Sequence, residues 1–584
     1  MDVKINTNIK TRSVAQGMVG AVLSCQLVLT GCSSNNHDDY VDNTLLRTQV
    51  LASEGGTFTS GDQSIMVTIP AGALDKDTEL VIKPASGMAG EMNSMMPAGE
   101  AYSISVGDAE LSSMMTIVLH LDDAPMHPQL GEVALQEGDV WSRVSRNFYR
   151  ASEGSVVVLV DDDGVFQPIL RTLQAETGDG VARGENIFLY ETFQNEDFFG
   201  GVLGLHTLLN ELTPAAAVGA GVQVDLAKVP QGIVDVLLGD DFDAKQDALQ
   251  NPAITRALLK AGAVVGVKAV FDGEDDELLS SAGITCALCH VNVATTEFEL
   301  SAGEMTALPI GGLQLNGVPN TTMDAGLILS LTPFAENAGQ GTVDFLQSFG
   351  PGNFDVRALP DNPLEDNVAN PTNYPPLWNF VDLAQQDYVL NWDGLFSSSG
   401  DTELALASQA EAVYDLVMHA NGAFGVMSGS VAPQLSITPP EALLTALGAA
   451  EDAAPGNDIP EQALLDVQAW ERSIVSPAPG DYDEALAEEG FELFNGKADC
   501  SGCHMSAEFT GPVLSTNIVL PAPEGGLAGG IKTPGLRGLT YTAPYFHDGS
   551  AETLMDVMDA YSGRIVDALT QQEKEAVVEY LKTL

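Results

Sequence analysis

Four of the chain's six cysteines fall in two short patterns, Cys286-Ala287-Leu288-Cys289-His290 and Cys500-Ser501-Gly502-Cys503-His504. Two thiols at this spacing reach the two vinyl groups of one porphyrin and close thioether bonds. The histidine that follows turns a ring nitrogen toward the iron from the proximal side, so the pattern reads as c-type haem attachment. A single Cys-x-x-Cys is equally a zinc knuckle or a thioredoxin-like redox pair. Two copies, each followed at once by histidine, argue against both. The expectation is two covalently bound haem c groups, attached at Cys286, Cys289, Cys500 and Cys503, with His290 and His504 as proximal iron ligands.

Helices must hold the second motif. Asp483 to Phe494 has helical periodicity, with Leu486, Gly490, Leu493 and Phe494 on one stripe, and Asn495-Gly496 stops it just before the motif. Thr570 and Glu573 have capping-box spacing ahead of a last helix that turns Val577, Val578, Leu581 and Leu584 inward. Helix, motif, loop and closing helix resemble a class I cytochrome c domain. Downstream come Lys532-Thr533-Pro534-Gly535-Leu536-Arg537-Gly538-Leu539, Thr542-Ala543-Pro544-Tyr545-Phe546-His547-Asp548-Gly549-Ser550 and Thr553-Leu554. This block resembles the C-terminal haem domain of the bacterial di-haem cytochrome c peroxidase superfamily, which also holds quinone-maturing di-haem enzymes and rubber-oxygenase-like cytochromes. Upstream, Gly283-Ile284-Thr285 before the first motif, Asn316-Gly317-Val318-Pro319-Asn320 and Phe354-Asp355 resemble other di-haem cytochromes of that superfamily.

The resemblance implies roles. Arg537 would pair with haem propionates, and His547 would stand at the edge of the second haem or on its iron. Tyr561 occupies the place of an axial ligand, with Met558 and Met555 as competitors nearby; helical methionines are more often core than ligand. Standard peroxidases carry a histidine soon after the first motif, whereas here none lies between His290 and His419. The first iron is then open or bound from a distance, with His419 the candidate. Trp392 and Trp378 fall in the inter-motif region where the superfamily keeps a relay tryptophan; packing is the alternative for both.

At 584 residues with a net charge of −57, the chain has room for several domains and repels nucleic acid and anionic lipid. The acidic surface suits a basic redox protein as electron donor, or simply a salty habitat. Lys4, Lys10 and Arg12 followed by an apolar run to Leu29-Thr30-Gly31-Cys32 resemble a lipoprotein signal. Residues 1–32 would then be removed and Cys32 lipidated, giving a protein of the bacterial cell envelope, tethered to the outer membrane by lipid alone and facing the periplasm or the surface. Residues 33–44 read as a tether, 45–121 as a β module resembling ZU5 modules, and 122–200 as a β-rich extension. Residues 201–474 read as the first haem domain, with a helix over Ile254 to Val270, and 475–584 as the second. The fold class expected is multidomain: N-terminal β-sandwich-like modules followed by two mainly α-helical cytochrome c-type haem domains. The turn Asp161-Asp162-Asp163-Gly164 offers carboxylates to calcium but lacks EF-hand spacing. Apart from the haem motif, no internal repeat is evident.

Three functions fit two such haems. One is a peroxidase that reduces hydrogen peroxide at the first haem with electrons relayed by the second. Another is an oxygenase or protein-modifying oxidase that uses dioxygen or peroxide on the same scaffold. The last is a non-enzymatic electron carrier. The sixth ligand of each iron decides among them.

Overall fold

The computed structural model describes residues 45–172, 175–193, 195–273, 276–355, 371–380, 461–511, 513–514, 531–561 and 569–584. Cys32, Trp392 and His419 lie outside the described residues. Thr44–Leu584 form a single unit. Among the described residues no helix is long and apolar enough to cross a membrane.

Antiparallel β sheets come first. Ile65, Val67 and Ile69 are buried at alternate positions, the two-residue period of a strand with one face in a core. One sheet orders its strands Asn147–Arg150, Ser155–Val160, Met115–His120, Ile65–Ile69 and Gly56–Thr59. The other runs Leu46–Val50, Thr78–Ala85, Ala101–Ser105, Gly164–Arg171, Gly131–Glu137 and Val140–Arg143, with Met95–Pro97 also paired to Gly164–Arg171. Their facing sides share a core that includes Val67, Ile82, Ile104, Leu119, Val158 and Phe166. The boundary expected at residue 121 falls inside this sandwich. Met115–His120 pairs with Ser155–Val160, and Ala101–Ser105 with Gly164–Arg171. Either half alone would expose unpaired strand edges. The acidic turn keeps Asp163 at home, its Oδ2 accepting from the Val106 amide at 2.9 Å. No cluster of three metal-binding side chains occurs among the described residues.

A mainly helical region follows, and it starts before residue 201. Helix α1 (Asp179–Tyr190) packs along α2 (Glu461–Arg472), and α3 (Glu484–Asn495) along α5 (Gln571–Lys582). The two pairs are built alike. A Cβ on Gly184 would lie 1.8 Å from the Asp466 carbonyl oxygen and 2.9 Å from Trp470 Cβ. On Gly490 it would lie 1.9 Å from the Ala576 carbonyl oxygen and 2.9 Å from Tyr580 Cβ. One turn beyond each glycine stands a phenylalanine, Phe188 at 4.3 Å from the Trp470 ring and Phe494 at 5.2 Å from the Tyr580 ring. Each helix crossing thus needs glycine at its closest point and locks an aromatic pair beside it. This repeat escapes a sequence reading because α1 is separated from its motif by the long stretch 191–285, whereas α3 runs almost directly into the second motif.

Asp483 caps α3, accepting from the amides of Ala485 and Leu486, and the Thr570–Glu573 box caps α5. The buried stripe of α3 is Ala487, Gly490, Phe491 and Phe494, with Leu486 and Leu493 only half-buried. The helix expected over Ile254 to Val270 ends at Lys260 (Pro252–Lys260), just before Gly262 at φ 64°. Val267–Val270 is instead a strand paired with Ser281–Ile284, and that hairpin delivers the chain to Cys286.

Candidate functional site

Backbone bonds shape the first motif. Asn195 accepts from the Ile284 amide at 3.0 Å and donates to its carbonyl at 2.8 Å, and Thr285 Oγ1 donates to the Leu189 carbonyl at 3.1 Å. A single helical turn, Ala287–His290, follows. Asn320 receives the turn: its amide donates to the Cys289 carbonyl at 2.8 Å and its Nδ2 to the Leu288 and Gly221 carbonyls at 3.3 and 3.0 Å. The His290 ring stands 6.4 Å from Phe188 and 6.1 Å from Tyr374. Burial, opposed by the Pro375 carbonyl, pushes its pKa down to about 4. Burial also pushes the thiols of Cys286 and Cys289 up, to about 12 and about 11. Thiols raised in this way lack the thiolate character of a dithiol redox pair.

Glu471, on α2, is a residue the sequence reading missed among 81 acidic ones. It is 5% exposed, lies within electrostatic reach of Cys286, and its Oε2 has no hydrogen-bond partner among the described residues. Burial raises it to about 8, so it holds its proton near neutrality. Its signal in sequence is only its position after Trp470 on the closing helix.

The second motif repeats the plan. His504 is 6.3 Å from Phe494. Its Nδ1 donates to the Phe509 carbonyl at 2.7 Å. A carbonyl only accepts, so the proton sits on Nδ1 and Nε2 keeps a lone pair. Burial lowers the His504 pKa, with the Phe509 and Pro534 carbonyls opposing. Pro375 and Pro534 occupy matching places: Tyr374-Pro375-Pro376-Leu377-Trp378 and Thr533-Pro534-Gly535-Leu536-Arg537 each pass a proline carbonyl over the motif histidine. Burial raises Cys500 to about 12.

Tyr561 closes α4 (Leu554–Ala560); burial, reinforced by Cys500 and Cys503, pushes its hydroxyl up to about 12. Met558 is buried in the apolar cluster of α3 and α5, and Met555 is half-buried against it. Phe546 lies 6.3 Å from Tyr561. Beside it, burial lowers the pKa of His547 while Asp548 opposes. The segment bearing His547 is held from the stretch between the two motifs: Asn373 Nδ2 donates to the Pro544 and Phe546 carbonyls at 2.6 and 3.1 Å, and the Asn373 amide to the His547 carbonyl at 2.7 Å. Trp378 is buried with Phe188, Ala287, Val291 and Trp470, in the core of the first motif. Its ring also lies against Gly538, where a Cβ would come within 2.6 Å. It therefore bridges the surroundings of both motifs. Arg537 is buried rather than exposed; its Nη2 donates to Glu132 Oε1 at 2.8 Å and to the Ala507 carbonyl at 2.9 Å.

No protein-family model matches the chain. It is 32% identical over 122 residues to the methylamine utilization protein MauG of Methylorubrum extorquens, a stretch covering 17% of this chain and 35% of that protein. It is 33% identical over 125 residues to the MauG of Methylophilus methylotrophus, covering 18% and 37%. The chain thus spans little more than a third of the length of these curated relatives. Among solved structures, a hydrazine synthase of Kuenenia stuttgartiensis aligns at 22% identity and TM-score 0.18, over 24% of this chain and 62% of that one. A MauG-like protein associated with microbial copper homeostasis aligns at 19% identity and TM-score 0.22, over 40% and 86%. Over the matched fifth of its length, the chain is similar to MauG proteins.

Proposed function

We propose that the chain is an exported, lipid-anchored di-haem c-type cytochrome that reduces hydrogen peroxide with electrons from a small redox protein. What carries this reading is the duplicated frame: the same glycine-notched helix crossing stands beside each Cys-x-x-Cys-His motif, with a half-buried, neutral histidine in each. The local similarity to MauG proteins supports it.

The residues fit a covalently tethered porphyrin. The thiols of Cys286, Cys289 and Cys500 are held un-ionised against apolar neighbours, and at the second motif the histidine keeps a lone pair for a metal. Cys286 and Cys289 would hold one haem with His290 as ligand, and Cys500 and Cys503 the other with His504. Bound haem supplies an iron that takes up and releases single electrons and, where a coordination position is open, admits a small oxidant. In the net reaction, one peroxide, two electrons and two protons give two waters. The chain's own groups do the rest. The Phe509 carbonyl fixes the orientation of His504. Glu471 holds a proton beside Cys286, at the motif where peroxide would be reduced. Trp378 offers an aromatic path between the two surroundings. The excess of acidic side chains, 81 against 24 basic ones, would draw in a basic donor at low salt.

The test is peroxide consumption by the purified holoprotein with a reduced small cytochrome as donor. Turnover well above that of free haem, lost in Glu471→Gln, is expected. Turnover no better than free haem would refute it. A second reading, a protein-modifying oxidase, is favoured by Tyr561, whose buried hydroxyl feels both Cys500 and Cys503. It predicts that Tyr561→Phe changes the absorption of the second haem and leaves the first as it was.

A further inference from the structure

The β sandwich has no part in the reading above. Its five-stranded sheet nevertheless turns a second apolar face to the C-terminal helices. Val118, Phe148 and Val157 are buried in the same cluster as Phe491, Phe494 and Tyr580. Phe148 stacks on Phe491 at 5.9 Å and 25°.

Beside this contact lies a buried set of charges. Arg143 donates through Nε to Glu132 Oε2 at 2.6 Å, through Nη2 to Glu132 Oε1 at 2.9 Å, and through Nη1 to Glu508 Oε1 at 3.1 Å. Arg171, with a side chain 0% exposed, meets Glu508 Oε1 at 2.9 Å. Arg537 reaches back to Glu132, and Asn379 Nδ2 to Glu508 Oε2 at 3.4 Å. Glu508 lies in the loop that runs from His504 to its hydrogen-bond partner Phe509. That loop is tightly determined. Ser506 Oγ accepts from the amides of Glu508 and Thr510 at 3.3 and 3.0 Å, and Thr510 Oγ1 donates to the Thr533 carbonyl at 2.6 Å. Phe509 itself is held at φ 54°, in the left-handed region where the Cβ of a non-glycine residue crowds its own backbone. The Arg537 guanidinium sits over its ring at 4.9 Å. A strained carbonyl aimed at a histidine must be held there by something, and the strongest ties come from another module of the chain.

We propose that Arg143 and Arg171 of the β sandwich are positioning residues for His504, acting through Glu508 and the Phe509 carbonyl, so that the sandwich is half of the second site's scaffold. The inference rests on reading Cys500-Ser501-Gly502-Cys503-His504 as a haem attachment site.

Redox titration of the holoprotein with both haems resolved by absorption tests it in Arg171→Met and Glu508→Gln. Removing a positive charge favours the oxidised, more positive iron, and removing a negative one does the reverse. The second haem's midpoint should therefore fall in Arg171→Met and rise in Glu508→Gln, while the first haem's midpoint stays in place. Both midpoints unmoved, or both haems shifted together in one direction by either variant, would overturn the proposal and leave the cluster as mere packing. Should Arg171→Met not accumulate, Glu508→Gln, which keeps shape and acceptor oxygen, decides by the same criterion. Mass spectrometry of the 500–504 peptide separates the two claims. Unmodified thiols there refute the underlying haem reading, whereas a haem-bearing peptide with an unmoved second midpoint refutes the positioning role alone.

Discussion

Replacing Gly490 by alanine tests the duplicated helix crossing. Within an exposed helix this exchange gains about 1 kcal/mol from helix propensity. Here the new Cβ would meet the Ala576 carbonyl oxygen at 1.9 Å and Tyr580 Cβ at 2.9 Å. Neither atom is the end of a flexible side chain; both are fixed to the closing helix. Helix α5 must therefore move away by roughly 1 Å, an overpacking cost of about 3 kcal/mol. The net loss is about 2 kcal/mol after the propensity gain. Gly184→Ala carries the same cost at the first crossing, where the Asp466 carbonyl oxygen would lie at 1.8 Å. As a control, Gly232 lies in the helix Gln231–Leu238 with no described atom within 4 Å of an added Cβ. Gly232→Ala should therefore be neutral or slightly stabilising. Guanidinium unfolding followed at the absorption of each haem gives the readout: Gly490→Ala should weaken the second site and Gly184→Ala the first. If either exchange raised stability, or both disturbed the two sites equally, the idea of paired local frames would be refuted.

Two further outcomes are expected. Glu471 has a folded pKa of about 8 against an ordinary 4.5, so on raising the pH the unfolded chain releases this proton first. The protein should lose several kcal/mol of stability between about pH 4.5 and 8, at ~1.4 kcal/mol for each pH unit across that window. Glu471→Gln should flatten that slope in unfolding titrations; an unchanged slope would count against a buried, protonated Glu471. Asn320→Ala leaves the Gly221 and Leu288 carbonyls without their Nδ2 donor, a cost of about 2–3 kcal/mol. Amide exchange should speed up over 286–290 and remain unchanged over 500–504.

The second half of the chain is the more legible in sequence, because its signals are local. The periodic stretch from Asp483, the Thr570–Glu573 box and the motif lie close together; the box stands as expected, and Asp483 caps the helix that starts at Glu484. The first half hides its plan behind distance. Its opening helix precedes the motif by some hundred residues, so Gly184 and Phe188 read as part of a β-rich extension. Only the contacts with Asp466 and Trp470 relate them to Gly490 and Phe494. Arg537 reads as a residue of the second site, but its partner Glu132 lies 405 positions away in the sequence. No local periodicity registers an ion pair of that separation. Glu471 is lost among many carboxylates for a similar reason: burial, not residue type, sets it apart.

The central claim is that both motifs carry covalent porphyrin. Protein exported by a host able to assemble c-type cytochromes should be digested and its peptides weighed. A haem mass is predicted on the peptide containing Cys286 and Cys289 and another on the peptide containing Cys500 and Cys503. A colourless chain whose four thiols all react freely with alkylating reagent would contradict it.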